Sequence, residues 1–174
     1  MRKTPWQVLD GLRTCVATQL VETSRPVCNL PIIWGSAPLP AQRCDCQCAD
    51  GGEGEGWIRY TALTNVPGPG RGTYTNCPSP GWDAQVEVGV WRCALTLDEA
   101  GNPPSDDDYD AHTQLMLDDM RALMQAWECC TWWQENRADR VLNQVVPSGP
   151  AGGCVGVIAS GLIRLNRCPC PGGS

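Results

Sequence analysis

The chain predicts an α+β domain: an antiparallel sheet with an N-terminal helix and one long helix packed on it, joined by long Pro/Gly loops. Three observations predict it. Apolar residues recur at helical spacing in two well-separated stretches, apolar and polar residues alternate in the segments between and after them, and strands and helices are segregated rather than interleaved. The 174 residues suffice for one domain, expected over 1–174 with a mobile loop near 41–56 and a C-terminal tail over 166–174. A domain of this size buries roughly two-thirds of the surface its unfolded chain exposes, so folding alone does not require its 12 cysteines.

The first helix is expected from about Thr4 to Val21. Leu9, Leu12, Val16 and Leu20, with Trp6 one turn earlier, form one apolar stripe, and Pro26 and Pro31 end it. Val27 to Gly56 reads as loop, carrying Cys44-Asp45-Cys46-Gln47-Cys48 and then a Gly/Glu run to Gly56. Trp57 to Asn65 alternates as a half-buried strand. Two Pro/Gly loops follow, over 66–72 and 76–81. From Trp82 to Leu97 alternation returns, but its phase shifts by one residue at Val90-Trp91, which a bulge or burial of both faces explains.

Ser105 followed by Asp108 has the layout of a helix N-cap, and acids at 106, 107, 108 and 110 suit the positive end of a helix dipole. Tyr109, His112, Met116, Met120, Leu123, Trp127 and Cys130 then recur in steps of three and four, predicting a long helix over Asp106–Cys130. Trp132, Trp133 and Leu142 suggest a short helical or irregular return before a Pro/Gly stretch over 147–153. A last strand follows over 155–165. No internal repeat is visible.

The net charge of −6 and pI near 4.7 exclude the basic footprint of a nucleic-acid binder. No apolar run is long enough to span a bilayer, and Gln7, Asp10 and Arg13 interrupt any signal-peptide core after Met1-Arg2-Lys3, so synthesis and folding in a cytosol are expected. Lys3 is the only lysine and Phe is absent, a bias that a G+C-rich genome imposes.

The chemical signatures are thin. His112, the only histidine, could meet Cys93, Cys129 or Cys130 in a thiol hydrolase, but it lies on the helix stripe and no nucleophile signature accompanies it. The acidic run at 106–110 lacks the Gly and terminal Glu of a calcium loop and reads as helix capping. The Gly-rich stretches carry no Gly-Lys-Ser/Thr and cradle no phosphate. Cys44, Cys46 and Cys48 with Cys168 and Cys170 could close a tetrahedral zinc site, yet their C-x-C spacing is unlike the usual C-x₂₋₄-C, and disulfides or free thiols are the preferred reading. Cys15, Cys93, Cys129, Cys130 and Cys154 are expected as small buried hydrophobes. No catalytic residue, metal or cofactor is assigned.

The order of segments carries a resemblance. A helix over Trp6–Val21, Pro31-Ile-Ile-Trp-Gly35, strands over Trp57–Asn65 and Val86–Leu97 with Gly89-Val-Trp-Arg-Cys93, the acid-rich long helix, and Gly152-Gly-Cys-Val-Gly156 before the final strand together resemble the small neck proteins of actinobacterial siphophages, in particular the tail terminator family. The resemblance implies a virion protein made in the host cytoplasm, with no catalysis. It implies a sixfold homo-oligomeric ring that ends the tail tube and meets the head connector, so its partners are itself, the tail tube protein and a connector or head-completion protein, with no membrane and no specific nucleic-acid site. Trp127, Trp132 and Trp133 are then candidates for intersubunit burial, or else for the protomer's own core. Cys44, Cys46, Cys48, Cys168 and Cys170 are candidates for bridges formed after lysis, within the ring or to a neighbour. The alternatives are a head-completion or connector adaptor of the same neck and, from another class, a cysteine-rich zinc-binding module.

Overall fold

Both major helices are nucleated by capping boxes. Thr4 Oγ1 accepts from the Gln7 amide while Gln7 Oε1 accepts from the Thr4 amide, which starts α1 (Pro5–Thr23) with proline in its first turn. Ser105 and Asp108 exchange the same pair of bonds at the start of α2 (Asp106–Glu128). The computed structural model describes residues 4–35, 52–65, 82–136, 139–151 and 153–165. The predicted loops over 66–81, the Cys44–Cys48 cluster and the 166–174 tail lie outside the described residues.

The remaining elements are β1 (Ile32–Trp34), β2 (Glu55–Asn65), β3 (Trp82–Cys93), α3 (Thr131–Asn136), β4 (Arg140–Ala151) and β5 (Cys154–Leu165). They form a five-stranded sheet in the order β1-β2-β3-β5-β4. The β2-β3-β5-β4 part is antiparallel, as expected, and β1 joins it parallel to β2. This is the α+β architecture that the alternating and helical patterns predict.

One face of the sheet packs against the helices. Ile58, Tyr60, Ala84, Val86, Val88, Val90, Val157, Ala159 and Ile163 meet Leu12, Val16 and Leu20 of α1 and Leu123, Ala126 and Trp127 of α2 in one continuous core. A smaller cluster, Trp57, Trp91 and Cys154, occupies the opposite face, with the two indoles stacked at 5.5 Å. The phase shift at Val90-Trp91 is therefore burial of both faces, since β3 and β5 pair without interruption through Val90 and Trp91. A glycine makes the second cluster possible: a Cβ on Gly89 would lie 2.0 Å from the Trp57 ring.

Three segments depart from the sequence expectation. Ile32–Trp34 was expected as loop, but Pro31, Ile32 and the following residues lie beside β2, with Ile58 N donating to Pro31 O at 2.9 Å. Residues 52–56, expected as part of a mobile loop, are held in place: Gly52, Gly54 and Gly56 are buried, and Glu53 N→Pro26 O, Cys28 N→Gly54 O and Gly56 N→Asn29 O bonds of 2.8–2.9 Å hold 52–56 against 26–29, while the rest of that expected loop lies outside the described residues. The Pro/Gly stretch after Leu142 belongs to β4: an edge strand tolerates Pro147, and Pro150 falls in the register shift between Ser148 and Ala151.

Candidate functional site

The tryptophans proposed for an interface are spent inside the protomer. Trp127 and Trp133 are each 1 % exposed, so they have no surface to give a partner, and the alternative of a protomer core is the one realised. Trp133 Nε1 donates to Ala126 O at 2.9 Å and the ring lies under the Arg140 guanidinium. Trp132 is half-buried, edge-on to Trp133 and against Gly11 of α1, where a Cβ would come within 2.2 Å of the indole. The aromatic steps read from the sequence close the short turn between α2 and α3 onto α1.

The cysteines within the elements are not simple hydrophobes. Cys15 of α1 is bonded to Cys130, with Cα atoms 5.7 Å apart, inside the range disulfide geometry allows. Cys28, Cys93 and Cys154 are disulfide-bonded as well. Spacing along the chain could not show this, because the pairing of Cys15 with Cys130 depends on how α1 and α2 cross. Cys129 follows expectation in neither sense: among the described residues it is the free thiol, and it is exposed. The candidate residues Cys44, Cys46, Cys48, Cys168 and Cys170 fall outside the described residues. Among the described residues no three His, Cys, Asp or Glu side chains cluster as a metal site.

Among the described residues no cysteine lies beside His112 in its groove. His112 lines an apolar groove of about 450 Å³ with Met116 and Met120 of α2 and Pro147, Ser148 and Val157 of the β4–β5 hairpin. Cys129 caps the far end of the same helix, about 25 Å away at the α-helical rise, and Cys93 and Cys130 are bonded. The groove offers apolar walls, one imidazole and the hydroxyls of Thr113 and Ser148, with no cysteine and no charged side chain in its lining.

The polar centre of the molecule was not anticipated. Arg92 and Asp119 are both fully buried and form a bidentate pair, Nε to Oδ2 at 2.8 Å and Nη2 to Oδ1 at 2.7 Å. Arg92 also donates to Arg25 O at 2.8 Å and to Glu53 O, while Ser24 Oγ donates to Asp119 Oδ1 at 2.5 Å. One guanidinium thereby joins β3, α2, the C-terminal cap of α1 and the 52–56 stretch. Its donors are consumed by protein acceptors and no solvent reaches it, so its role is architectural. The only trace in the sequence is an Arg between Trp91 and Cys93 in a strand and an Asp one residue before Met120 on the helix stripe.

Among the described residues β1 and β4 stand at the two edges of the sheet, each with one side unpaired by a strand. β1 exposes Trp34, 78 % accessible and stacked on Tyr60 at 4.8 Å, while burial raises the Tyr60 phenol above its usual 10. β4 exposes Val141 and Val146 on a run, Val141–Val146, that contains neither charge nor proline. Strand senses follow from the ladders: β1 runs with β2, and β4 runs against β5 and so against β2. The two edges therefore run in opposite senses and differ in length, 3 residues against 12. None of the described helices is long and apolar enough to cross a membrane. No protein-family model matches the chain, and no curated protein sequence matches it.

Proposed function

We propose that the chain is a structural subunit of a siphophage neck, a sixfold ring that ends the tail tube and joins it to the head connector. The observation that carries this reading is the pair of unlike edges on one sheet, neither paired by a further strand among the described residues. A ring needs two different faces of one protomer to match each other. β4 of one copy laid beside β1 of the next is an antiparallel pairing, because the two edges run in opposite senses. Both edges carry exposed apolar side chains, Trp34 on one and Val141 and Val146 on the other, as an interface core requires. The α+β protomer agrees with the one the resemblance implies. A negatively charged chain suits protein partners rather than DNA.

Native mass spectrometry and electron microscopy of the purified full chain test the reading. A closed ring is the expected result, and Val141→Lys with Val146→Lys should dissolve it into monomers whose circular dichroism is unchanged. A wild-type chain that stays monomeric at concentrations on the order of 100 μM overturns it, since that corresponds to an association weaker than about 5.5 kcal/mol. Binding to purified tail tubes separates the terminator from a connector adaptor, which would bind the head side alone.

A further inference from the structure

Two contacts clamp α1 to α2. The helices run antiparallel, since Gly11 meets Trp132, Cys15 meets Cys130 and Ser24 meets Asp119. At one end the clamp is the Ser24–Asp119–Arg92 network, which persists under reducing conditions. At the other it is the Cys15–Cys130 bond, which exists only when two thiols have been oxidised. The three cysteines there differ in access. Cys15 is 1 % exposed, Cys130 is half-buried, and Cys129 is exposed with a free thiol. The Arg140 guanidinium donates to the Trp127 and Glu128 carbonyls at 2.5 and 2.6 Å, which places a cation at the backbone next to Cys129.

We propose that the Cys15–Cys130 bond is a redox switch on the α1–α2 seam that opens and closes in the folded protein, with Cys129 as its port. The oxidant is a small-molecule disulfide such as glutathione disulfide, whose anionic character suits the Arg140 side of the port. In closing, the Cys129 thiolate attacks one sulfur of that disulfide, forming a mixed disulfide and releasing one glutathione thiolate. The Cys130 thiolate next attacks the glutathione sulfur, takes over the glutathionyl group and returns Cys129 to thiolate. The buried Cys15 thiolate then attacks Cys130 Sγ, forming the protein bond and expelling the second glutathione. Two protein thiols are oxidised, one glutathione disulfide is reduced to two glutathiones, and the two thiol protons leave with them. Opening is the reverse, with glutathione as reductant.

The fold supplies what such a switch requires. The Arg92–Asp119–Ser24 network and the Trp132–Gly11 contact keep the helices in register while the bond is open, so Cys15 finds Cys130 without a search. A cytosol keeps the bond open and an oxidising exterior closes it. The proposal does not depend on the neck reading: it concerns one protomer, and a monomeric chain would leave it standing.

The test uses the full chain, reduced, freed of reductant and mixed with glutathione disulfide. Acid-quenched, alkylated samples are mapped for Cys15, Cys129 and Cys130, and native-state hydrogen exchange gives the global unfolding rate. The expected result is closure faster than unfolding, with glutathione appearing transiently on Cys129. Cys129→Ser should reach the same end point several-fold more slowly. Closure limited by the unfolding rate would make the bond a static staple and overturn the switch, and a Cys129→Ser chain closing at the wild-type rate would remove the port. A Cys15→Ser/Cys130→Ser chain should melt on the order of 10 °C lower, because the bond spans 115 residues. An unchanged melting point would leave the bond nothing to switch and overturn the proposal as well; should that variant not fold, the wild-type kinetics decide alone.

Discussion

The two faces of the sheet bury themselves by different means, and the contrast shows where this fold is vulnerable. The helix-facing side is a continuous apolar layer in which the Arg92–Asp119 ion pair is wholly dry. The opposite side is divided: Trp57 and Trp91 pack at one end, and the Arg59–Glu87 and Arg164–Asp83 pairs lie on partly exposed surface elsewhere. A charge pair on the first side has no water to fall back on, whereas one on the second does. Equal chemistry should therefore carry unequal weight on the two faces.

The strongest way to break that contrast is to remove one buried charge. Asp119→Ala leaves Arg92 uncompensated and should cost about 3–5 kcal/mol in urea unfolding, while Arg92→Met with Asp119→Leu should cost far less. A double variant as unstable as the single would mean that the bonds to Arg25 O and Glu53 O, rather than the pair itself, hold the centre. Next in size is Gly89→Val, which drives a methyl into the Trp57 ring and should cost about 1–3 kcal/mol. On the open face, Arg59→Ala should cost no more than about 1 kcal/mol, and less at high salt, because both partners keep contact with solvent.

The smallest effect is a pH dependence at the α2 terminus. Asp108 accepts from the Ser105 hydroxyl and amide, and these bonds hold its carboxyl below the usual aspartate value of 3.8. A depressed carboxyl stabilises the fold above its unfolded pKa and ceases to do so as pH falls through the folded one. Hydrogen exchange at the first turn of α2 should therefore quicken as pH drops below about 3.8 once intrinsic rates are corrected, and Asp108→Asn should flatten that response. Asp98, whose carboxylate accepts from Asn102 and the Ala100 amide, should loosen the 98–102 turn over the same range.

Local signals in the chain were reliable where they were self-contained. The Ser105–Asp108 cap, the stripe through Leu123 and Trp127, and the alternation through Val86, Val88 and Val90 all appear in the elements they predict. Signals that depend on a neighbour were not. Pro147 and Pro150 read as loop because nothing local says that β4 stands at an edge. Gly52 and Gly54 read as a mobile tip because the groups that hold this stretch, Arg92 donating to Glu53 O and the backbone amide and carbonyls at 26–29, are remote in sequence. Trp127 and Trp133 were equally compatible with a core and an interface until the position of Arg140 and α3 was known.

The sequence by itself determined the two long helices and their starts, the strands β2, β3 and β5, and the α+β class, since these rest on periodicity and on bonds between residues three or four apart. Only the tertiary structure decided that Cys15 joins Cys130, where the buried Arg92–Asp119 pair lies, and which strands stand at the sheet edges among the described residues. The first two are meetings of residues 115 and 27 positions apart, and the energy of such a meeting is set by packing and desolvation that no local pattern encodes.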